Sequence, residues 1–280
     1  MPEPADRLFV ALDVDRLEDA EALLDQLAGV VGGCKIGSQL FTAAGPTAIE
    51  RALKRGYRVF LDLKYHDIPN TVAGAVREAT RLGVFMLNVH ASGGLAMMRA
   101  AAEAATKAAK EFALPRPLVL GVTVLTSLDR RALEREVGVL GPVEAHVLRL
   151  AERAREAGLD GCVASAREIA PLRLGLGRRW VIVAPGIRPA ERPDDQMRTA
   201  TPAAAVQAGA DYLVVGRPIT GESDPLAAAR APAATARSPA PTLRSRPARP
   251  PARARPGAAR APPPAPARRP RARAPGGRGS

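Results

Sequence analysis

Cysteine is nearly absent: Cys34 and Cys162 are the only two in 280 residues, and each lies in an apolar run without metal-ligating neighbours. Neither a disulfide framework nor a cysteine-based metal site is expected, and both thiols are expected reduced in the core. No apolar run reaches the roughly 18 residues of a membrane span, and Met1 to Asp6 carry acids where a signal peptide needs an apolar stretch. A soluble, cytoplasmic protein without membrane partners is the expectation. Acids are missing from one region altogether: Arg230 to Arg278 holds thirteen arginines and no Asp or Glu. The whole chain has 41 Lys+Arg against 28 Asp+Glu, so without those thirteen the balance is 28 to 28 and the net +13 belongs to the tail. With 46% hydrophobic residues, what precedes the tail can bury a sizeable core.

The most informative stretch is Phe60-Leu61-Asp62-Leu63-Lys64-Tyr65-His66-Asp67-Ile68-Pro69-Asn70-Thr71. An apolar strand beginning at Arg58 enters it, and Asp62 and Lys64, two apart, leave the same face. Asp67 follows before Ile68-Pro69 ends the strand, and a helical pattern starts at Thr71. Three charges therefore crowd the carboxyl end of one strand. His66 and His90 read as packing or hydrogen-bonding residues.

Short apolar strands alternate with helical patterns along the rest of the chain. Strands are expected at 8–12, 34–37, from 58 to the break at Ile68-Pro69, and at 84–90, 118–125, 161–165, 180–184 and 212–215. Helices are expected at 17–31, 46–54, 71–82, 94–112, 128–140, 143–157, before 174 and at 201–208. Eight such steps in about 225 residues fit a closed (β/α)8 TIM barrel, class α/β, better than an open sheet. Asp13, Lys35, Asp62, Lys64, Thr126, Arg188 and Arg217 all fall at or just beyond strand carboxyl ends, where such barrels place their active sites. Pro185-Gly186-Ile187-Arg188 and Gly216-Arg217-Pro218-Ile219 follow the last two strands. Small backbones and two guanidinium groups in adjacent loops suit a phosphate.

Taken together, Asp62-x-Lys64-x-x-Asp67-Ile68-Pro69-x-Thr71, Ala11-Leu12-Asp13, Lys35-Ile36-Gly37, Leu125-Thr126-Ser127, Pro185-Gly186-Ile187-Arg188, Asp195-Gln196 and Gly216-Arg217-Pro218-Ile219 closely resemble the orotidine 5′-phosphate decarboxylase family over roughly residues 7–226. The Asp-x-Lys-x-x-Asp element alone is shared with related phosphosugar barrels, whereas Lys35 and the full phosphate set favour the orotidylate enzymes. The resemblance implies decarboxylation of orotidine 5′-phosphate to UMP without metal or organic cofactor. It implies Lys64 as the cation and proton donor, in an alternating network of Lys35, Asp62, Lys64 and Asp67. Asp13 and Lys35 would meet ribose hydroxyls and Thr126 the pyrimidine amide. Arg188, Gln196, Gly216 and Arg217 would hold the phosphate, beneath a loop at 189–199 that closes over the site, and Ile68 and Pro185 would be further substrate contacts. Asp67 and Thr71 would complete the site of a neighbouring subunit in a homodimer.

The barrel is expected over 1–226 and a disordered tail over 227–280. The last 54 residues hold thirteen prolines and thirteen arginines, with Leu243 the only large apolar side chain. Pro232 falls where an eighth helix should run, so that helix is expected short or lost, leaving barrel wall exposed. Two origins fit the tail: out-of-frame reading of a GC-rich gene, or an arm binding polyanions nonspecifically. With no aromatic ring to stack bases, such an arm would not read nucleic-acid sequence.

Overall fold

The computed structural model describes residues 7–188 and 200–236. Eight parallel strands close a barrel in sequence order: β1 (Leu8–Ala11), β2 (Gly33–Gly37), β3 (Arg58–Tyr65), β4 (Met86–His90), β5 (Leu118–Val122), β6 (Gly161–Val163), β7 (Val181–Ala184) and β8 (Tyr212–Val215). Closure is made by β1 against β8, with Phe9 opposite Val214. Around them lie α1 (Leu17–Gln26), α2 (Ser38–Ala44), α3 (Pro46–Lys54), α4 (Pro69–Arg81), α5 (Gly94–Glu111), α6 (Arg130–Arg135), α7 (Val143–Glu156), α8 (Ile169–Leu176), α9 (Pro202–Ala208), α10 (Arg217–Thr220) and α11 (Pro225–Ala236). None of the described helices is long and apolar enough to cross a membrane.

Strand parity sorts the apolar side chains into two sets. Leu8, Val10 and Leu12 face outward into the layer between barrel and helices, where Val59, Leu61, Leu87 and Val89 join them. Phe9, Ala11, Phe60, Met86, Leu120 and Val214 point inward and fill the barrel. The aromatic rings, only 3% of residues, are concentrated at its amino end. Phe9 lies 5.6 Å from Tyr212 and 6.1 Å from Phe85, and Arg58 sits 4.6 Å above the Phe85 ring. Edge-to-face rings under a guanidinium close that end. Cys34 and Cys162 are free and buried, as expected, and burial pushes both thiols up to about 12.

Several boundaries differ from the sequence reading. The helix expected at 128–140 is the six-residue α6, which buries Leu133, while Val137 and Leu140 beyond it stay exposed and give no apolar face to continue it. Helices α2 and α10 had no counterpart in the pattern. The larger correction concerns the end of the barrel. The chain does not leave the fold at 226, and the eighth helix is not lost: α11 runs from Pro225 to Ala236 with Pro232 inside it. Asp224 caps it, its side chain accepting from Ala227 N–H at 2.9 Å, and Pro225 takes the first helical position. Pro232 forfeits a hydrogen bond, but Ala229, Pro232, Ala233 and Ala236 form a buried small-residue face against α9, α10 and the β1 wall. That burial outweighs the missing bond. Residues 237–280, the rest of the expected tail, lie outside the described residues.

Candidate active site

At the carboxyl mouth of the barrel a cavity of about 380 Å³ is lined by Asp13, Lys35, Asp62, Lys64, Thr126 and Pro185, among others. The four charged side chains form one row. Lys35 Nζ donates to Asp13 Oδ1 at 2.9 Å and lies 3.4 Å from Asp62 Oδ2. Lys64 Nζ donates to the other oxygen, Asp62 Oδ1, at 2.8 Å. Acid and base thus alternate within a single chain as Asp13, Lys35, Asp62, Lys64. Burial alone would lower the Lys35 pKa, but Asp62 and Asp13 outweigh it and the pKa is raised. The amine is held charged.

Local chain geometry explains why this row exists. Gly37, at the end of β2, faces the Lys35–Asp13 pair closely. A Cβ there would lie 3.0 Å from Lys35 Nζ and 3.3 Å from Asp13 Oδ1. On β3, Phe60 and Asp62 share the inward face, as the two-residue period requires. Beyond Asp62 the strand departs from regular form. The pairing with β4 runs Leu61 to Leu87 and resumes at Tyr65 to Val89. Asp62, Leu63 and Lys64 therefore stand opposite Asn88 alone, as in a bulge. Lys64 sits in the left-handed region at φ 51°, a conformation costing a lysine roughly 1–3 kcal/mol.

Asn88 is absent from the site expected above. Its Oδ1 accepts the Lys64 backbone N–H at 2.8 Å and its Nδ2 donates to Asp62 Oδ1 at 2.7 Å. The one available signal is an amide at an inward position of an otherwise apolar strand.

The remaining expected residues separate by place. Asp67, Ile68 and Thr71 are exposed on the rim where β3 leads into α4. Asp67 accepts its neighbour Ile68 N–H at 2.6 Å and makes no ion pair among the described residues. Within this chain, Asp13 supplies the second acid of the row. Arg188 is buried just after β7, where Gly186 takes the left-handed turn at φ 71°. Its backbone N–H donates to Ala200 O at 3.0 Å and Ile187 bridges Ala200, so residues 187–188 and 200 lie side by side. Gln196 belongs to that segment and lies outside the described residues. Gly216 and Arg217 follow β8, and a Cβ on Gly216 would lie 3.8 Å from Asp13 Oδ2. The His66 and His90 rings lie 5.1 Å apart, tilted by 34° to each other. Among the described residues, no three His, Cys, Asp or Glu side chains gather as a metal site requires.

The family model described as "Orotidine 5'-phosphate decarboxylase / HUMPS family" matches residues 6–231. The orotidine 5′-phosphate decarboxylase of Moorella thermoacetica is 56% identical over 227 residues, 81% of this chain and 90% of that protein. That of Halorhodospira halophila is 55% identical over 226 residues, covering 80% and 93%. Among solved structures, the orotidine 5′-phosphate decarboxylase of Lactobacillus acidophilus superposes with a TM-score of 0.73 at 36% identity, over 83% of this chain and all of that one. A barrel of this order, with this charged row at its mouth and this similarity along both sequences, settles the kinship: the chain belongs to the orotidine 5′-phosphate decarboxylase / HUMPS family.

Proposed function

We propose that the protein decarboxylates orotidine 5′-phosphate to UMP in pyrimidine biosynthesis, and that the Asp13–Lys35–Asp62–Lys64 row is its catalytic centre. The observation that carries the reading is the Lys64 ammonium held 2.8 Å from Asp62 in the barrel mouth. Loss of CO2 leaves an electron pair at C6 in the plane of the pyrimidine ring, where the π system cannot spread it. A cation already in place is the effective remedy. At about 3 Å and an effective dielectric near 20, one ammonium stabilises such a carbanion by roughly 5 kcal/mol. That is about four decades of rate, so further gain has to come from excluding water over the site. Lys64 then gives its proton to C6. Asp62, bonded to Lys64 and Asn88 through one oxygen, faces the departing carboxylate and keeps the ammonium aimed.

In the same proposal Asp13 and Lys35 meet ribose hydroxyls, Thr126 meets the pyrimidine amide, and Ile68 and Pro185 make further contacts. Arg188, Gln196, Gly216 and Arg217 bind the phosphate, whose remote binding energy draws the 189–199 segment over the site. Asp67, turned to the rim, and Thr71 serve the site of a second copy, making the working unit a homodimer. A cytoplasmic location goes with this biosynthetic role.

The test is the fall in orotidine 5′-phosphate absorbance with purified protein in EDTA, wild type beside Lys64→Ala. Turnover that persists in EDTA and drops at least about a thousandfold in the variant is the expected result. A folded but inert wild type overturns the reading, provided a chain ending at Ala236 is inert as well.

A further inference from the structure

We infer that Asn88 is the positioning residue for the Lys64 ammonium: one buried carboxamide holds both the backbone of Lys64 and the carboxylate that aims it. This rests on the decarboxylase reading above. Asn88 is fully buried on β4, between Leu87 and Val89, with Leu120 opposite it on β5. A carboxamide in such surroundings costs several kcal/mol unless its polar atoms are bonded. Both of its ends are spent on the same two residues of β3. The oxygen takes the Lys64 N–H and the amide nitrogen gives to Asp62 Oδ1. The reverse placement of oxygen and nitrogen would set N–H against N–H and oxygen against carboxylate, so the orientation is determined by its partners.

The bulge explains the need. Where β3 bulges between Leu61 and Tyr65, the regular pairing with β4 is interrupted around Lys64. The Asn88 side chain supplies the missing acceptor there, and so holds a lysine backbone at φ 51° that would otherwise relax toward the extended region. Relaxation would carry the ammonium off its line. Asp62 Oδ1 is shared between Lys64 Nζ at 2.8 Å and Asn88 Nδ2 at 2.7 Å, while Oδ2 faces Lys35 at 3.4 Å. Without the amide donor only the two lysine ammonium groups restrain the carboxylate about χ2. Displacement of a reacting group by about 1 Å can cost on the order of a hundredfold in rate.

Asn88→Leu keeps the branched shape and removes both bonds, and Asn88→Ala truncates the side chain at Cβ. Each is compared with wild type by kcat, KM for orotidine 5′-phosphate, UMP affinity and thermal melting. The expected result is a fall in kcat of about a hundredfold. KM and UMP affinity should stay within about threefold, because binding is carried by the phosphate and ribose contacts. Folded variants with kcat within about fivefold of an active wild type overturn the positioning role alone. So does parallel loss of kcat and UMP affinity, or failure of both variants to fold, since either assigns Asn88 to structure. A wild type inert toward orotidine 5′-phosphate overturns the reading beneath it, and the inference with it.

Discussion

Single residues at the barrel mouth set two opposite dependences on pH. Lys35 has its pKa raised above 10.5 because Asp62 and Asp13 outweigh the burial that would lower it. A group raised on folding contributes stability that is fully present below its unfolded pKa and lost as pH rises through the folded one. The charged row is therefore intact at neutral pH and weakens only in strongly alkaline solution. His90 runs the other way. Burial, then the positive charges of His66 and Lys64, lower its pKa below 6.5 against a smaller opposing pull from Asp62. Its contribution is complete above 6.5 and is lost as pH falls through the lowered value. His90→Gln should flatten the decline of Tm as pH falls below about 6.5. An unchanged slope in melting scans would show that acid sensitivity resides elsewhere. At this scale Asp62 was legible from strand parity and Lys64 from standing two residues on, although it is the bulge and not parity that sets the Lys64 backbone. Asn88 was not, since its partners depend on a bulge and a left-handed lysine, and neither follows from residue type.

At the scale of elements, α11 shows a local rule overridden. Proline inside a helix costs about 3 kcal/mol relative to alanine, and from Pro232 alone the helix was expected to fail. Against that cost stand the buried alanines on one face, the Asp224 cap and Pro225 at the first turn. Pro232→Ala restores the bond to the Ala228 carbonyl and forfeits two buried methylenes at about 0.8 kcal/mol each. The balance favours the variant by about 1 kcal/mol, a Tm rise of about 2–4 °C. Asp224→Ala should lower Tm by a similar amount, through loss of about 1 kcal/mol of capping. Calorimetry on both variants reads these shifts, and a destabilised Pro232→Ala would show that the ring packs better than its lost bond implies. Elements with strong apolar periodicity were found nearly to the residue: α3 runs over 46–54 as expected. The short α2 and α10 escaped notice because seven and four residues carry too little periodicity to register.

On the scale of the whole molecule, the rim position of Asp67 makes a specific demand. If Asp67 serves a second copy, Lys64→Ala and Asp67→Ala are each inactive alone, yet mixed dimers rebuild one intact site. Subunit exchange should then recover about a quarter of wild-type activity, whereas a mixture as inert as its parents places each site within one chain. The family match ends at residue 231, so nearly all of the basic tail lies beyond it. We propose that residues 237–280 contribute nothing to catalysis. Their deletion should leave kcat/KM within about twofold and abolish salt-sensitive heparin retention. Retention that survives deletion would put the polyanion surface on the barrel. One feature of the barrel itself governs traffic. Phe9, Phe85 and Tyr212 pack at its amino end beneath the Arg58 guanidinium, and the inward side chains of Phe60, Val122, Val163 and Val214 line the cavity at the opposite mouth. Under the proposed decarboxylation, carbon dioxide and UMP both depart by the carboxyl mouth that admitted the substrate, because the packed rings face them from the other side.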